Sequence, residues 1–112
     1  MATEKTQVIQ DQNQQELMNK VSEIQEVFGK YVEYPCFSDN GLCMEIPFGD
    51  IDVIPSVREC LVIWLKEGGG LCIDYANMQL MMTKDNTKWR GVEIKDFFIQ
   101  IMESGVYIEL KL

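Results

Sequence analysis

Apolar residues Leu17, Val21, Ile24 and Phe28 recur at steps of four, three and four, which places them on one helical face, and Gly29 follows as a helix stop. The same spacing fits two coiled-coil heptads, but the preceding seam positions are Gln10 and Gln14, so packing onto the chain's own sheet is the favoured reading. From Tyr31 the period drops to two. "YVEYPCF" and "LCMEIPF" flank Ser38-Asp39-Asn40-Gly41, which predicts a hairpin whose Asn and Gly supply the positive-φ positions of the turn. Pro35 and Pro47 cannot donate to a ladder, so at least one of these strands is expected at a sheet edge or with a bulge.

Pro55, Ser56 and Glu59 have the spacing of a helix start, and Val57, Cys60, Leu61, Trp64 and Leu65 share one face of the helix that would follow. Val62 and Ile63 widen that face. A strand through "CLVIWL" is the competing reading, because a short apolar run does not separate the two. Gly68-Gly69-Gly70 then reads as a helix stop and connector; it lacks the preceding strand and the closing Lys and Ser/Thr of a phosphate loop. "LCIDYA" and "MQLMM" read as two strands around Asn77, and "TKDNTKWRG" as a polar loop. Ile94, Phe97, Phe98, Ile101 and Met102 fit a third helix ended by Gly105, and "VYIELKL" alternates as a half-buried strand.

The expected order is α-ββ-α-ββ-α-β. That is an α+β fold in one domain, with three helices on one face of a mostly antiparallel sheet of about five strands. Residues 1–15 are expected to form a polar, partly flexible arm and residues 16–112 the domain. A chain of 112 residues with 46% apolar content supports one core and not two.

Charge changes the picture more than composition does. Ten Lys and Arg face 18 Asp and Glu, a net charge of −8, which opposes nucleic acid and anionic membrane as direct ligands. Between Lys30 and Arg58 there is no base, while Glu33, Asp39, Glu45, Asp50 and Asp52 all fall there. The longest apolar run, Leu61 to Leu65, is far short of the roughly 20 residues of a membrane helix. The opening "MATEKTQVIQDQNQQ" has neither a basic nor an apolar leader segment, so a cytoplasmic location is expected.

The chain has no histidine, which removes Ser/His and Cys/His nucleophile pairs and His-based metal sites. No enzyme activity, metal or cofactor is expected. Cys36, Cys43, Cys60 and Cys72 lack zinc-knuckle spacing, and a cytoplasmic location predicts free, mostly buried thiols; Cys36 and Cys43 nonetheless face each other across the expected hairpin, near enough to oxidise. Asp50 and Asp52 lack the glycine and terminal Glu of a calcium loop.

The first expectation is therefore a small acidic protein-binding module of the inhibitor, immunity, anti-defence or chaperone kind. Its contact residues would be Glu33, Tyr34, Phe37, Asp39, Glu45, Phe48, Asp50 and Asp52, its partner a basic protein surface. The alternative is a small-molecule or nucleotide sensor with a pocket between helix and sheet at Asp74, Tyr75, Asn77 and Trp89. A homodimer through the first helix or an uncovered strand at 106–112 is compatible with either.

Overall fold

Period-two alternation, and not helical periodicity, governs the chain from Val32 onward. The computed structural model describes the backbone of residues 2–112 and the side chains of residues 13–112. It holds one α-helix, α1 (Ala2–Phe28), and nine strands among the described residues: β1 (Val32–Glu33), β2 (Gly41–Pro47), β3 (Ile51–Val53), β4 (Cys60–Leu65), β5 (Gly70–Asp74), β6 (Gln79–Thr83), β7 (Trp89–Glu93), β8 (Asp96–Ile101) and β9 (Gly105–Lys111). Two short 3₁₀ turns, Gly29–Tyr31 and Phe48–Asp50, complete it. The arm expected over residues 1–15 falls mostly on residues 1–12, whose side chains lie outside the described residues, as does all of Met1.

The strands form two antiparallel sheets. One has the order β1-β2-β9-β8 and the other is a five-stranded meander, β3-β4-β5-β6-β7. The expected three-helix fold is thus corrected in two places. Residues 60–65 are a strand because Cys60–Trp64 pair in register with Asp74–Gly70, and the hairpin turn between them is Lys66–Gly69, with Gly68 and Gly69 at positive φ and Gly70 already in β5. Residues 96–101 are a strand because each of them pairs with β9, Asp96 opposite Lys111 through to Ile101 opposite Val106. "TKDNTKWRG" likewise closes into a hairpin: Asp85 accepts from the N–H groups of Thr87 and Lys88, and Trp89 already belongs to β7.

The first helix, the strands at 70–74 and 79–83 and the alternating strand at 105–111 lie where the patterning puts them. β1 is a sheet edge, while Pro35 lies in the loop beyond it and Pro47 ends β2. β9 is not uncovered: it sits between β2 and β8, so both of its edges are paired.

One core joins all layers. Val21, Ile24 and Phe28 of α1 meet Leu42, Met44 and Ile46 of β2, Val106, Ile108 and Leu110 of β9, and the inward residues Ile63, Leu71, Ile73, Leu80, Met82 and Val92 of the meander. Arg90 pins the helix to β7 by a two-pronged bond to Glu26, both contacts 3.1 Å. No helix among the described residues is long and apolar enough to cross a membrane.

Candidate functional site

Because alternate residues of β2, β8 and β9 fill the core, the intervening ones share the outer face of the four-stranded sheet. Register sets them in rows. Glu33 lies opposite Cys43, which lies opposite Glu109, which lies opposite Phe98; the next row runs Glu45, Tyr107, Gln100, and on the other side runs Gly41, Lys111, Asp96. These rows hold four carboxylates against one base.

Tyr107 is the centre of the acidic group. Its hydroxyl donates to Glu109 Oε1 at 2.8 Å, and its oxygen lies 3.2 Å from Cys43 Sγ. That sulfur has no proton to give, because Cys43 is joined to Cys36 in a disulfide. The hydrogen bond to Glu109 pushes the Tyr107 pKa up, with burial and the charges of Glu109, Glu33 and Glu45 adding to it. The expectation of free thiols at 36 and 43 is corrected by the same bond. The register also differs from a simple hairpin: Glu33, and not Cys36, stands opposite Cys43, and the chain from Tyr34 to Asn40 loops over the sheet.

The loop presents Phe37. Ser38 N–H donates to the Cys36 carbonyl at 2.6 Å, closing a three-residue turn with Phe37 at its centre and φ at 54°. A bulky residue rarely adopts that region, and a turn of this kind is strained by roughly 1–2 kcal/mol. The turn is held by Cys36 N–H to the Gly41 carbonyl at 3.0 Å and Gly41 N–H to the Ser38 carbonyl at 3.0 Å. Gly41 has to be glycine, because a Cβ there would strike the Cys36 carbonyl and come within 2.8 Å of the Phe37 ring. The result is an aromatic side chain 61% exposed. Across from it Phe98 is 50% exposed, and the two border a groove of about 220 Å³ floored by Glu109 and Lys111.

Of the contact residues read from the sequence, the structure gathers Glu33, Phe37 and Glu45 on this face, with Tyr34 and Asp39 in the loop itself, where the Tyr34 hydroxyl donates to the Asp39 carbonyl at 2.6 Å. Phe48, Asp50 and Asp52 belong elsewhere. Asp50 accepts from Tyr31 at 2.9 Å and pairs with Lys30 at 3.8 Å, Phe48 begins the 3₁₀ turn, and Asp52 lies on β3 in the other sheet. Burial first, then the bond to Asp50, raises the Tyr31 pKa. Tyr107, Glu109 and Phe98 are the residues that the sequence reading missed. The polar face of "VYIELKL" was visible, but nothing local says that it lies beside Glu33 and Glu45.

The alternative ligand residues do not converge. Asp74 serves its own turn, accepting from the N–H groups of Ala76 and Asn77 and from the Asn77 amide. Those bonds, led by the Asn77 amide, hold its pKa down. Tyr75 stacks on Phe97 at 5.2 Å. Trp89 stands in the row of Thr83, whereas Asp74 stands in the row of Gln79, four residues and about 13 Å along the strand.

No protein-family model, curated protein or solved structure matches the chain. What the fold and the site define is a class: a two-sheet antiparallel β domain flanked by one helix, with an acidic, aromatic outer face.

Proposed function

We propose that the chain is a non-enzymatic protein-binding module whose contact surface is the outer face of the four-stranded sheet, and whose partner presents a basic surface. The observation that carries this reading is Phe37: a strained backbone position that exposes an aromatic ring beside carboxylates. Strain of this kind is retained where it serves a contact, and exposed aromatics supply the strong points of interfaces while charge sets encounter rate and partner choice. Glu33, Glu45 and Glu109 give the steering field, and Phe37 and Phe98 the anchors.

The cytoplasm is the compartment the proposal keeps. The Phe37 turn is tied by the Cys36–Cys43 disulfide and by its three backbone hydrogen bonds, and in that compartment the hydrogen bonds would have to hold it alone wherever cellular thiols reduced the disulfide.

The test compares capture of partners by the native chain, Phe37→Ala and Glu33→Lys/Glu45→Lys at low and high salt. A stoichiometric basic protein is expected with the native chain. Its affinity should fall at least about 10-fold for Phe37→Ala, as for an interface anchor, and its salt dependence should flatten for the charge reversals. Equal capture of the same protein by all three would remove this face from the reading.

A further inference from the structure

Three sulfur atoms gather on the outer face of the meander, in the sheet that does not carry the acidic site. Cys72 lies in register between Val62 of β4 and Met81 of β6, and Cys60 lies one row along, opposite Asp74. Cys60 and Cys72 are therefore diagonal neighbours on adjacent strands, with both side chains on the same face. Both are free thiols and both are half-buried. They also act on each other: after burial, the Cys60 thiol is the main influence raising that of Cys72, and the charge of Asp74 adds to it. The thioether of Met81 rests against Gly91, whose Cβ would come within 2.9 Å of its Sδ, and an unbranched side chain lets it turn back toward its register partner Cys72.

The surroundings of these sulfurs hold no competing hard donor. Cys72 and Met81 line, with Val62, Trp64 and Trp89, a shallow depression of about 300 Å³, and none of the five side chains offers an oxygen. Asp74 is the carboxylate opposite Cys60, but its oxygens already accept from the N–H groups of Ala76 and Asn77 and from the Asn77 amide. Its charge remains nearby and favours a cation.

We infer that Cys60 and Cys72 hold a cuprous ion between two thiolates, with Met81 as a third, weaker donor. Softness selects the ion, because thiolate and thioether favour Cu(I) while Mg, Ca and Mn prefer oxygen. Zinc asks for four ligands, and among the described residues no third His, Cys, Asp or Glu joins the pair. Geometry favours an ion over a second disulfide. Diagonal neighbours have Cα atoms roughly 7–8 Å apart, at the limit of what an S–S bond of about 2.05 Å can close, whereas two metal–sulfur bonds of about 2.3 Å each span a wider gap. On binding, two S–H bonds break and two S–Cu bonds form; both protons go to solvent, and the copper remains Cu(I) with no electron transferred. The spacing of the cysteines along the chain gives no sign of this, since the hairpin register brings them together.

The experiment is an anaerobic titration of the full chain with Cu(I), without added thiol, in competition with a chromophoric Cu(I) chelator and with tryptophan fluorescence followed throughout. One equivalent should bind and quench Trp64 and Trp89, which wall the depression and are the only tryptophans of the chain. Because two protons leave per ion, the apparent affinity should rise about 100-fold per pH unit between about pH 6 and 8. Cys60→Ser and Cys72→Ser, checked by circular dichroism, should each weaken binding by more than about 100-fold, and Met81→Leu by about 10-fold. Cys36→Ser/Cys43→Ser and Phe37→Ala should bind as the native chain does, which separates this site from the acidic face. Undiminished binding by Cys72→Ser, or an affinity for Zn²⁺ equal to that for Cu(I), would overturn the inference. A slope of one proton per ion would also overturn it, since a single thiolate would then carry the metal.

Discussion

Placing a methyl group on Gly70 and, separately, on Gly91 probes how the outer face of the meander is built, where Trp64 and Trp89 meet edge to face with centroids 5.6 Å apart. At Gly70 the new Cβ would sit 2.8 Å from the Ile63 carbonyl oxygen and 2.8 Å from Trp64 Cε3. The first atom is backbone of the neighbouring strand and cannot swing away, so β4 must shift or the Trp64 ring must lift; overpacking of this sort costs about 1–3 kcal/mol. The loss of glycine's freedom in the unfolded chain offsets about 0.5–1 kcal/mol of that. At Gly91 the nearest atom is Met81 Sδ at 2.9 Å, followed by Gln79 Oε1 at 3.4 Å, both near the far ends of flexible side chains. Those ends can move, leaving Gly91→Ala neutral or slightly stabilising. The expected gap between the two variants is about 2 kcal/mol. With an unfolding entropy of about 2.1 cal/mol/K per residue over the chain, that gap is a difference of about 8 °C in Tm. Urea unfolding with equal m-values, followed by calorimetry, measures it. If Gly70→Ala is as stable as Gly91→Ala within about 0.5 kcal/mol, the ring of Trp64 does not lie over Gly70, and the packing given for this face is wrong.

Two further outcomes follow from buried groups. Ile24 is fully buried between the helix and the sheets, so Ile24→Ala should cost about 2–5 kcal/mol in urea unfolding, and a cost under 1 kcal/mol would mean that α1 does not seal the core. Burial pushes the Cys72 thiol up to about 11, with the Cys60 thiol and the Asp74 charge adding to it. The folded state therefore keeps that proton where the unfolded chain, near 9.0, gives it up, and stability should fall as pH rises from about 9 to 11. Comparing the unfolding midpoint of the native chain with that of Cys72→Ala across this range reads the effect, and parallel curves would refute it.

The parts of the fold that the sequence made legible are those with one clean face. "VYIELKL" alternates because Val106, Ile108 and Leu110 are buried while Tyr107, Glu109 and Lys111 face outward, and the first helix shows its Leu17-Val21-Ile24-Phe28 stripe for the same reason. The two strands misread as helices share a cause. In "CLVIWL" the inward residues Leu61, Ile63 and Leu65 alternate with the outward Val62 and Trp64, so an apolar outer face erases the period of two. In residues 94–102 the helical spacing is completed by Phe98, Ile101 and Met102, which are exposed; Ile101 is 64% so. Apolar side chains on the surface are what misled the periodicity.

The candidate site was legible where it is local. Glu33, Phe37 and Glu45 flank one loop, and an acidic, aromatic hairpin could be read directly. Tyr107, Glu109 and Phe98 join it only through the pairing of β2 with β9, a register that no local pattern specifies.

That pairing bears on the order in which the molecule can assemble. The meander is built from hairpins between neighbours in sequence, and its strand-to-strand pairing lies wholly within residues 51–93. β2, by contrast, waits for a strand about sixty residues further along, and loops of that length make slow contacts. During synthesis, Leu42, Met44 and Ile46 emerge on a strand lacking its main partner, and they stay so until residues 105–111 leave the ribosome. The acidic face does not exist before then. A nascent or truncated chain that holds the complete meander but lacks β9 would present an open strand edge in place of the acidic face, a target for chaperones and a template for aggregation.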